Sequence, residues 1–395
     1  MSMGPGPLAL TERWEVRAGP HRHAGSTHEG ILASWILAAG LAGLWGTTLF
    51  GPAAFKVLAV AILSAAGTEL LVAFARGGSV VGGLWHACLT GLLLGLTLPA
   101  TVGWHIPAMG AAVAIIFGKV VFGGLGHYYW HPALVGRVVM QLVFINSLSL
   151  GSANGTWPVL APGHLWFGSV SSPREVDMPA YGGWRTLSDH SPDEAVSMER
   201  PVQALRRFAE GRIPPDGELR YEPLLRDALP PWEDTIFGTV PGGIGETCTL
   251  ALIVAGLFLI YRGYLRWELP TMVIAAAAVA AALLPVESAV EGGGYDWFPI
   301  FAAEEGRAVG VAYVLYHLTS GELMLGAFLL AGDTIATPMR AGGQAIFAAG
   351  VGALTIFMRL YGVMECDCYW SILIMNTLVG PIDRRVRRPV LGMGE

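Results

Sequence analysis

The run TLALIVAGLFLIYRGYLRWELPTMVIAAAAVAAALLP, residues 249–285, decides the fold class of this chain. Two uncharged apolar stretches flank a short connector that holds Arg262, Arg266 and Glu268. Crossing the hydrocarbon core of a bilayer as an α-helix takes about 20 apolar residues. Spans placed at 246–264 and 268–286 meet that length, and the connector supplies the turn. The pair predicts a helical hairpin through lipid. Applied outward, the same rule predicts spans at 31–49, 53–75, 80–99, 104–122, 132–150, 309–331, 341–359 and 368–383. The expected fold class is all-α: a polytopic membrane protein of about ten transmembrane helices in two five-helix halves. Glu69, His86, His105 and Lys119 lie in or at the edge of these runs, so the boundaries are soft and one span could be re-entrant.

Composition points the same way. Of the 395 residues, 53% are hydrophobic and 14% charged, where a soluble domain carries about a quarter charged residues. The 53 glycines suit helices whose backbones approach closely in lipid. A net charge of -6 excludes a nucleic-acid binder, which needs a concentrated basic surface. Four cysteines, two of them in apolar runs, make no disulfide framework. The first 30 residues have no apolar core, so the first span is expected to direct insertion.

Short loops keep Arg and Lys on the cytoplasmic side. With a cytoplasmic N-terminus, Arg76, Lys119, Arg262, Arg266, Arg340 and the tail Arg384, Arg385, Arg387 and Arg388 all fall there; Arg307 and Arg359 are exceptions. The expected organisation is a cytoplasmic segment (1–30), a first transmembrane half (31–150), an extracytoplasmic loop (151–245), a second half (246–383) and a basic cytoplasmic tail (384–395). Within the loop, MERPVQALRRFAEG (198–211) has helical spacing, with Val202, Leu205 and Phe208 on one side. It reads either as a helix lying on the membrane face or a partner, or as a short helix in a solvated loop. Glycine turns, FGGLG (122–126) and PGGIG (241–245), recur in the two halves, as in transporters built from inverted halves with a site between them.

No phosphate-binding loop, nucleophile elbow or paired CxxC is present. His127 and His131, four apart, would share a helical face suited to metal, but Pro132 and the preceding glycines favour a loop bounded by aromatic residues. Cys366 and Cys368 read as free thiols rather than half of a four-thiolate cluster site. Acidic groups at membrane depth are costly and therefore informative. Asp333, followed by Thr334 and Thr337, suits a cation or the polar edge of a cofactor, or caps a helix end; Glu246, Glu322, Glu69 and Asp383 are weaker candidates of the same kind. The expected ion pathway is Asp333, Glu246 and Glu322, with no metal ligands and no residue doing catalysis by itself.

The runs IFGKVVFGGLGHYYWHPALVGRVV (116–139), TVPGGIGETCTLALIVAGLFLIYRGYLRWELP (239–270), HLTSGELMLGAFLLAGDTIATP (317–338) and SILIMNTLVGPIDRRVRRP (371–389) resemble the NqrB/RnfD family, the large membrane subunits of ion-translocating redox complexes. AGPHRHAGST (18–27) before the first span, the short first hairpin and the arginine-rich tail resemble the RnfD branch most, the membrane component of the Rnf electron transport complex. The resemblance implies a bacterial inner-membrane subunit with both termini cytoplasmic, coupling electron transfer to Na+ or H+ movement, not active alone. Its partners would be other membrane subunits and a flavin- or Fe-S-bearing protein.

Family members usually carry FMN, linked through phosphate to a threonine of a Ser-Gly-Ala-Thr run in the outer loop, and some hold riboflavin among the helices. Here DEAVSMERPVQAL (193–205) takes that place: Ser197 and Pro201 match, while Met198, Glu199 and Arg200 replace the rest. A phosphoester needs a hydroxyl, which arginine lacks. The expectation is loss of covalent FMN. The alternative is FMN or riboflavin held non-covalently, with Ser197 nearby and Arg200 pairing its phosphate and with Asp333, Thr334 and Thr337 lining a cofactor edge. Losing the flavin also leaves open a non-redox ion or solute transporter or channel that kept the scaffold.

Overall fold

The structure, a computed structural model, describes residues 27–77, 81–148, 200–210, 221, 224–225, 229–230, 232–288, 294–302, 307–362 and 366–386. It is an all-α polytopic membrane protein. Helix α1 (His28–Phe50) starts where the Thr27 hydroxyl accepts the Gly30 N–H at 3.1 Å, and stops at Gly51, whose positive φ of 70° turns the chain. Helix α2 (Pro52–Arg76) opens with proline in its first turn, where no N–H is needed. Then come α3 (Val81–Leu96), α4 (His105–Ile115) and α5 (Pro132–Val143). The outer-loop segment forms α6 (Pro201–Ala209). The quoted hairpin forms α7 (Thr249–Tyr261) and α8 (Glu268–Leu283), followed by α9 (Arg307–Thr319), α10 (Leu323–Leu325), α11 (Ala341–Tyr361) and α12 (Asp367–Arg385).

Among the described residues, by length and composition α1, α2 and α11 can cross a membrane, α9 with the segment after it makes a bent fourth, and five further apolar helices are shorter. A detail absent from the periodicity is a small antiparallel hairpin, β1 (Val286–Ser288) against β2 (Gly294–Asp296).

Two spans that read as continuous are interrupted. Helix α4 widens into a π-helical turn at Ile116–Val120 and ends in a loop where Gly123, Gly124 and Gly126 all have positive φ. The run at 309–331 bends by 59° between Thr319 and Leu323 and then also widens into a π-helical turn, Gly326–Leu330. Among the described residues, each half thus carries a π turn followed by irregular chain, a placement common at functional sites.

Irregular backbone at membrane depth must find partners inside the protein. At and just beyond the end of α3, the Leu96 and Leu98 carbonyls accept the N–H groups of Gly245 (2.8 Å) and Ile244 (3.0 Å) from the glycine turn before α7. That turn therefore satisfies the carbonyls that the end of α3 leaves open, and it ties the first half to the second. Small residues allow the close approach elsewhere: a Cβ on Gly352 of α11 would sit 2.1 Å from the Val273 carbonyl oxygen of α8. Helix α6 packs on α11 and α9 rather than lying free, with Leu205 and Phe208 buried.

Candidate functional site

Among the described residues, two polar clusters stand out in this bundle. The first surrounds Glu246, in the turn before α7. Its Oε2 accepts the Gly243 N–H and the Arg200 guanidinium, both at 2.9 Å, and its Oε1 accepts the Tyr369 hydroxyl. Arg137, from α5, lies over the Tyr369 ring at 5.9 Å and donates to the Thr97 carbonyl (3.0 Å) and the Gln141 side chain (2.6 Å). Glu322, at the break after α9, accepts the Cys368 N–H at 3.3 Å. Cys366, left-handed at φ 75°, points its thiol to Gln141, while Cys368 packs against Gly326.

The ion pairs continue outward through Asp367, which sits between Arg206 of α6 (2.8 Å) and Arg359 of α11 (3.4 Å). Arg359 is fully buried and also donates to the carbonyls of His317 (2.5 Å) and Ser320 (3.3 Å), so a cation caps the C-terminal end of α9 where its last carbonyls lack helical partners. Breaking one partner out of such a buried pair costs about 3–5 kcal/mol, because the other charge is left unpaired.

The second cluster joins the halves at the other end of α3. His86 Nε2 lies 3.1 Å from the Tyr128 oxygen, and the Tyr128 hydroxyl donates to Asp333 Oδ1 at 3.3 Å. Asp333 Oδ1 also accepts the Ile335 N–H at 3.2 Å, and its carbonyl accepts the Thr337 hydroxyl at 2.7 Å. The loop that carries Tyr128 is held on α12 by Trp130, which donates to Thr377 at 2.9 Å, and by the Asn376 amide oxygen, which accepts the His131 N–H at 3.1 Å once its amide is oriented by its neighbours. Beside it, Lys119 pairs with Glu69 at 2.7 Å.

The structure brings Glu246, Glu322 and Arg200 together and sets Asp333 with Thr337 apart from them. Thr334 is exposed next to Asp333. Ser197 lies outside the described residues, as do the N-terminal segment before residue 27 and the tail beyond 386. Asp333 caps its own loop, not a helix, since Arg340 stands at the N-cap of α11. His127 and His131 stand in a loop, one exposed and one buried. Arg137, Arg206, Asp367, Tyr369 and Gln141 escaped sequence reading; Arg137 and Arg359, charged residues inside apolar runs, carried the one signal that would have found them.

Arg200 stands where the family resemblance expects the flavin-bearing threonine. A guanidinium has no hydroxyl to esterify, and this one is buried against Glu246. The residue present does not fit a phosphoester-linked FMN.

Comparison with known proteins bears on the whole chain. The chain is 28% identical over 387 residues to the D component of the ion-translocating oxidoreductase complex of Halorhodospira halophila, covering 96% of this chain and 95% of that protein. It is 28% identical over 379 residues to the D component of the Na(+)-translocating ferredoxin:NAD(+) oxidoreductase complex of Acetobacterium woodii, covering 96% and 95%. With the D component of the proton-translocating ferredoxin:NAD(+) oxidoreductase complex of Clostridium ljungdahlii it shares 29% over 374 residues, 93% of each chain. Matched from residue 15 to residue 392, the chain belongs to the NQR2, RnfD, RnfE family.

Proposed function

We propose that this chain is the D-type membrane component of an ion-translocating electron-transport complex in a bacterial inner membrane, with both termini cytoplasmic and about ten spans in two halves. The near end-to-end likeness to the D components of such complexes carries the reading. The other membrane subunits of that complex are its partners, together with a flavin- or Fe-S-bearing protein that delivers electrons. One relative is named for Na+ and another for protons, so likeness alone leaves the ion open.

Within this reading the Glu246 cluster holds the two halves in register. Its arginines keep their charge at any pH a cell meets, so Glu246 and Asp367 have fixed partners. The outer loop carries no covalent FMN at position 200. When a flavin is bound without a covalent link, it supplies one- and two-electron transfer; this chain's residues would then only position it.

A second reading, a non-redox ion or solute transporter on the same scaffold, is favoured by one observation: Arg200 occupies the flavin-bearing position and is engaged with Glu246. Purification of the tagged chain from its native membrane in mild detergent separates the two. Co-purifying redox subunits and a flavin or cluster absorbance are expected from the first; the chain alone and colourless supports the second. On a denaturing gel, the chain's own band is expected to show no flavin fluorescence under either reading.

A further inference from the structure

The His86 cluster contains something that the Glu246 cluster lacks: a continuous hydrogen-bonded series of groups that can each give and take a proton. His86 lies buried on α3, Tyr128 is buried in the loop after the first π turn, and Asp333 is half-buried at the end of the second. The contacts of 3.1 and 3.3 Å make one chain from a carboxyl with access to the surface to an imidazole inside the bundle. Thr90 completes it: its hydroxyl donates to the His86 carbonyl at 2.9 Å, which leaves its oxygen facing Nδ1 at 3.4 Å.

The surroundings are mixed in charge. Lys119, His131 and His28 act on His86 from the π turn, the loop and α1, and Lys119 is itself paired with Glu69 of α2. His131, buried with no partner for Nδ1 among the described residues, feels the Asp333 charge. Asp333 itself makes no ion pair among the described residues.

We infer that His86, Tyr128 and Asp333 form a proton-transfer chain, in which a proton enters at Asp333 and passes through Tyr128 to His86. The inference rests on the ion-translocating reading and names the ion handled at this place. Two donors, an O–H and an N–H, already point at Asp333 Oδ1. A proton can move along these same hydrogen bonds without displacing either donor.

The step balances. Before transfer, Asp333 is a carboxylic acid donating to the Tyr128 oxygen, Tyr128 donates to Nε2, and neutral His86 keeps its hydrogen on Nδ1, facing Thr90. The Asp333 O–H and the Tyr128 O–H break; a new O–H forms on Tyr128 and an N–H on Nε2. After transfer, the imidazolium donates to Tyr128 and Tyr128 donates to the carboxylate. One proton has moved, no electron has changed carrier, and every partner is satisfied in both states. Tyr128 belongs to the first half and Asp333 to the second, so the chain conducts only while the two halves meet here.

The test uses the full chain in lipid nanodiscs with 13C-labelled histidine rings. After a pH jump that reaches down to about pH 3, time-resolved infrared follows the imidazolium and carboxyl bands, assigned by their loss in His86→Gln and Asp333→Asn. Tyr128→Phe keeps the ring and removes the relay oxygen; His86 protonation is expected to slow by about a hundredfold or more, within the range that a positioned proton-transfer group contributes. Should Tyr128→Phe fail to fold, the nearly isosteric Asp333→Asn reads the same delay. An unchanged His86 rate in the folded variants, a His86 ring that never takes a proton, or a sodium-induced shift of the Asp333 band would each overturn the proposal. Because the isolated chain is measured, the relay can fail while the redox-complex assignment stands, and the reverse.

Discussion

The two polar regions at opposite ends of α3 solve the problem of burying charge in different ways. His86 sits near one end of this helix and Thr97 just beyond the other, roughly 16 Å apart at 1.5 Å per residue. Around Thr97 every acid faces arginine or a backbone N–H: Glu246 faces Arg200, and Asp367 faces Arg206 and Arg359. Arginine does not release its proton, so Glu246 and Asp367 have constant cationic partners, which position the broken helices. Around His86 the members are a histidine, a tyrosine and one carboxyl, with no arginine among them. There a proton can change owner along one hydrogen-bonded series. The contrast separates a region built to hold shape from one built to change state.

The largest effect that could break this contrast belongs to Arg359. Arg359→Met leaves Asp367 short of a partner and strips two carbonyls at the end of α9 of their donor; a loss of about 3–5 kcal/mol is expected, read as a large drop in melting temperature in detergent. A loss below about 1 kcal/mol would mean that the pairs are not structural. Next comes a double-mutant cycle of Arg200→Met and Glu246→Gln. Each alone strands a buried polar partner, so the pair is expected to be coupled by about 0.5–3 kcal/mol, measured by the same melts; strict additivity would break the claim that Arg200 is committed to Glu246.

Between the regions, Gly352→Ala pushes a Cβ to 2.1 Å from the Val273 backbone oxygen. The expected cost is about 1–3 kcal/mol, and a neutral result would show that α8 and α11 can part more easily than their contact suggests. The smallest effect sharpens the comparison from the other side. Asp333→Asn, half-buried and close in shape, is expected to cost about 1 kcal/mol or less in the same melts while abolishing ion handling in the assembled complex. A loss as large as that of Arg359→Met would make the His86 end a structural region too.

Much of the fold was legible because hydrophobic length is a local property. The expected spans fall on helical segments whose limits agree to within a few residues for most, including α1, α2, α7, α8 and α11. The breaks were only partly legible. In LTSGELMLG (318–326) the Ser320-Gly321 pair permits a break, and Gly321 takes a positive φ of 72°, but the sequence does not give the 59° bend, whose freed carbonyls are capped by Arg359, roughly forty residues along the chain. The site was half legible. Glu246, Glu322 and Asp333 stand out as acids in apolar surroundings, and Glu246 accepts the Gly243 N–H of the glycine turn. Their partners were hidden: Tyr369 and Gln141 look like ordinary span residues, and Arg359 looked only like an exception to the rule for cytoplasmic cations. Likewise MERPVQAL read as a surface helix, since Arg200 and Arg206 point inward only because Glu246 and Asp367 wait for them there.

The claim that this scaffold belongs to an ion-translocating redox machine meets its most direct test in inverted membrane vesicles from the native host. Vesicles from cells with the chain, and from cells lacking it, are given a reductant while Na+ and proton gradients are followed with ion-selective dyes. The expected result is a reductant-driven gradient that disappears with the chain and returns when the wild-type chain is restored. A gradient of unchanged size in its absence, or solute flux that needs the chain but no reductant, would contradict it.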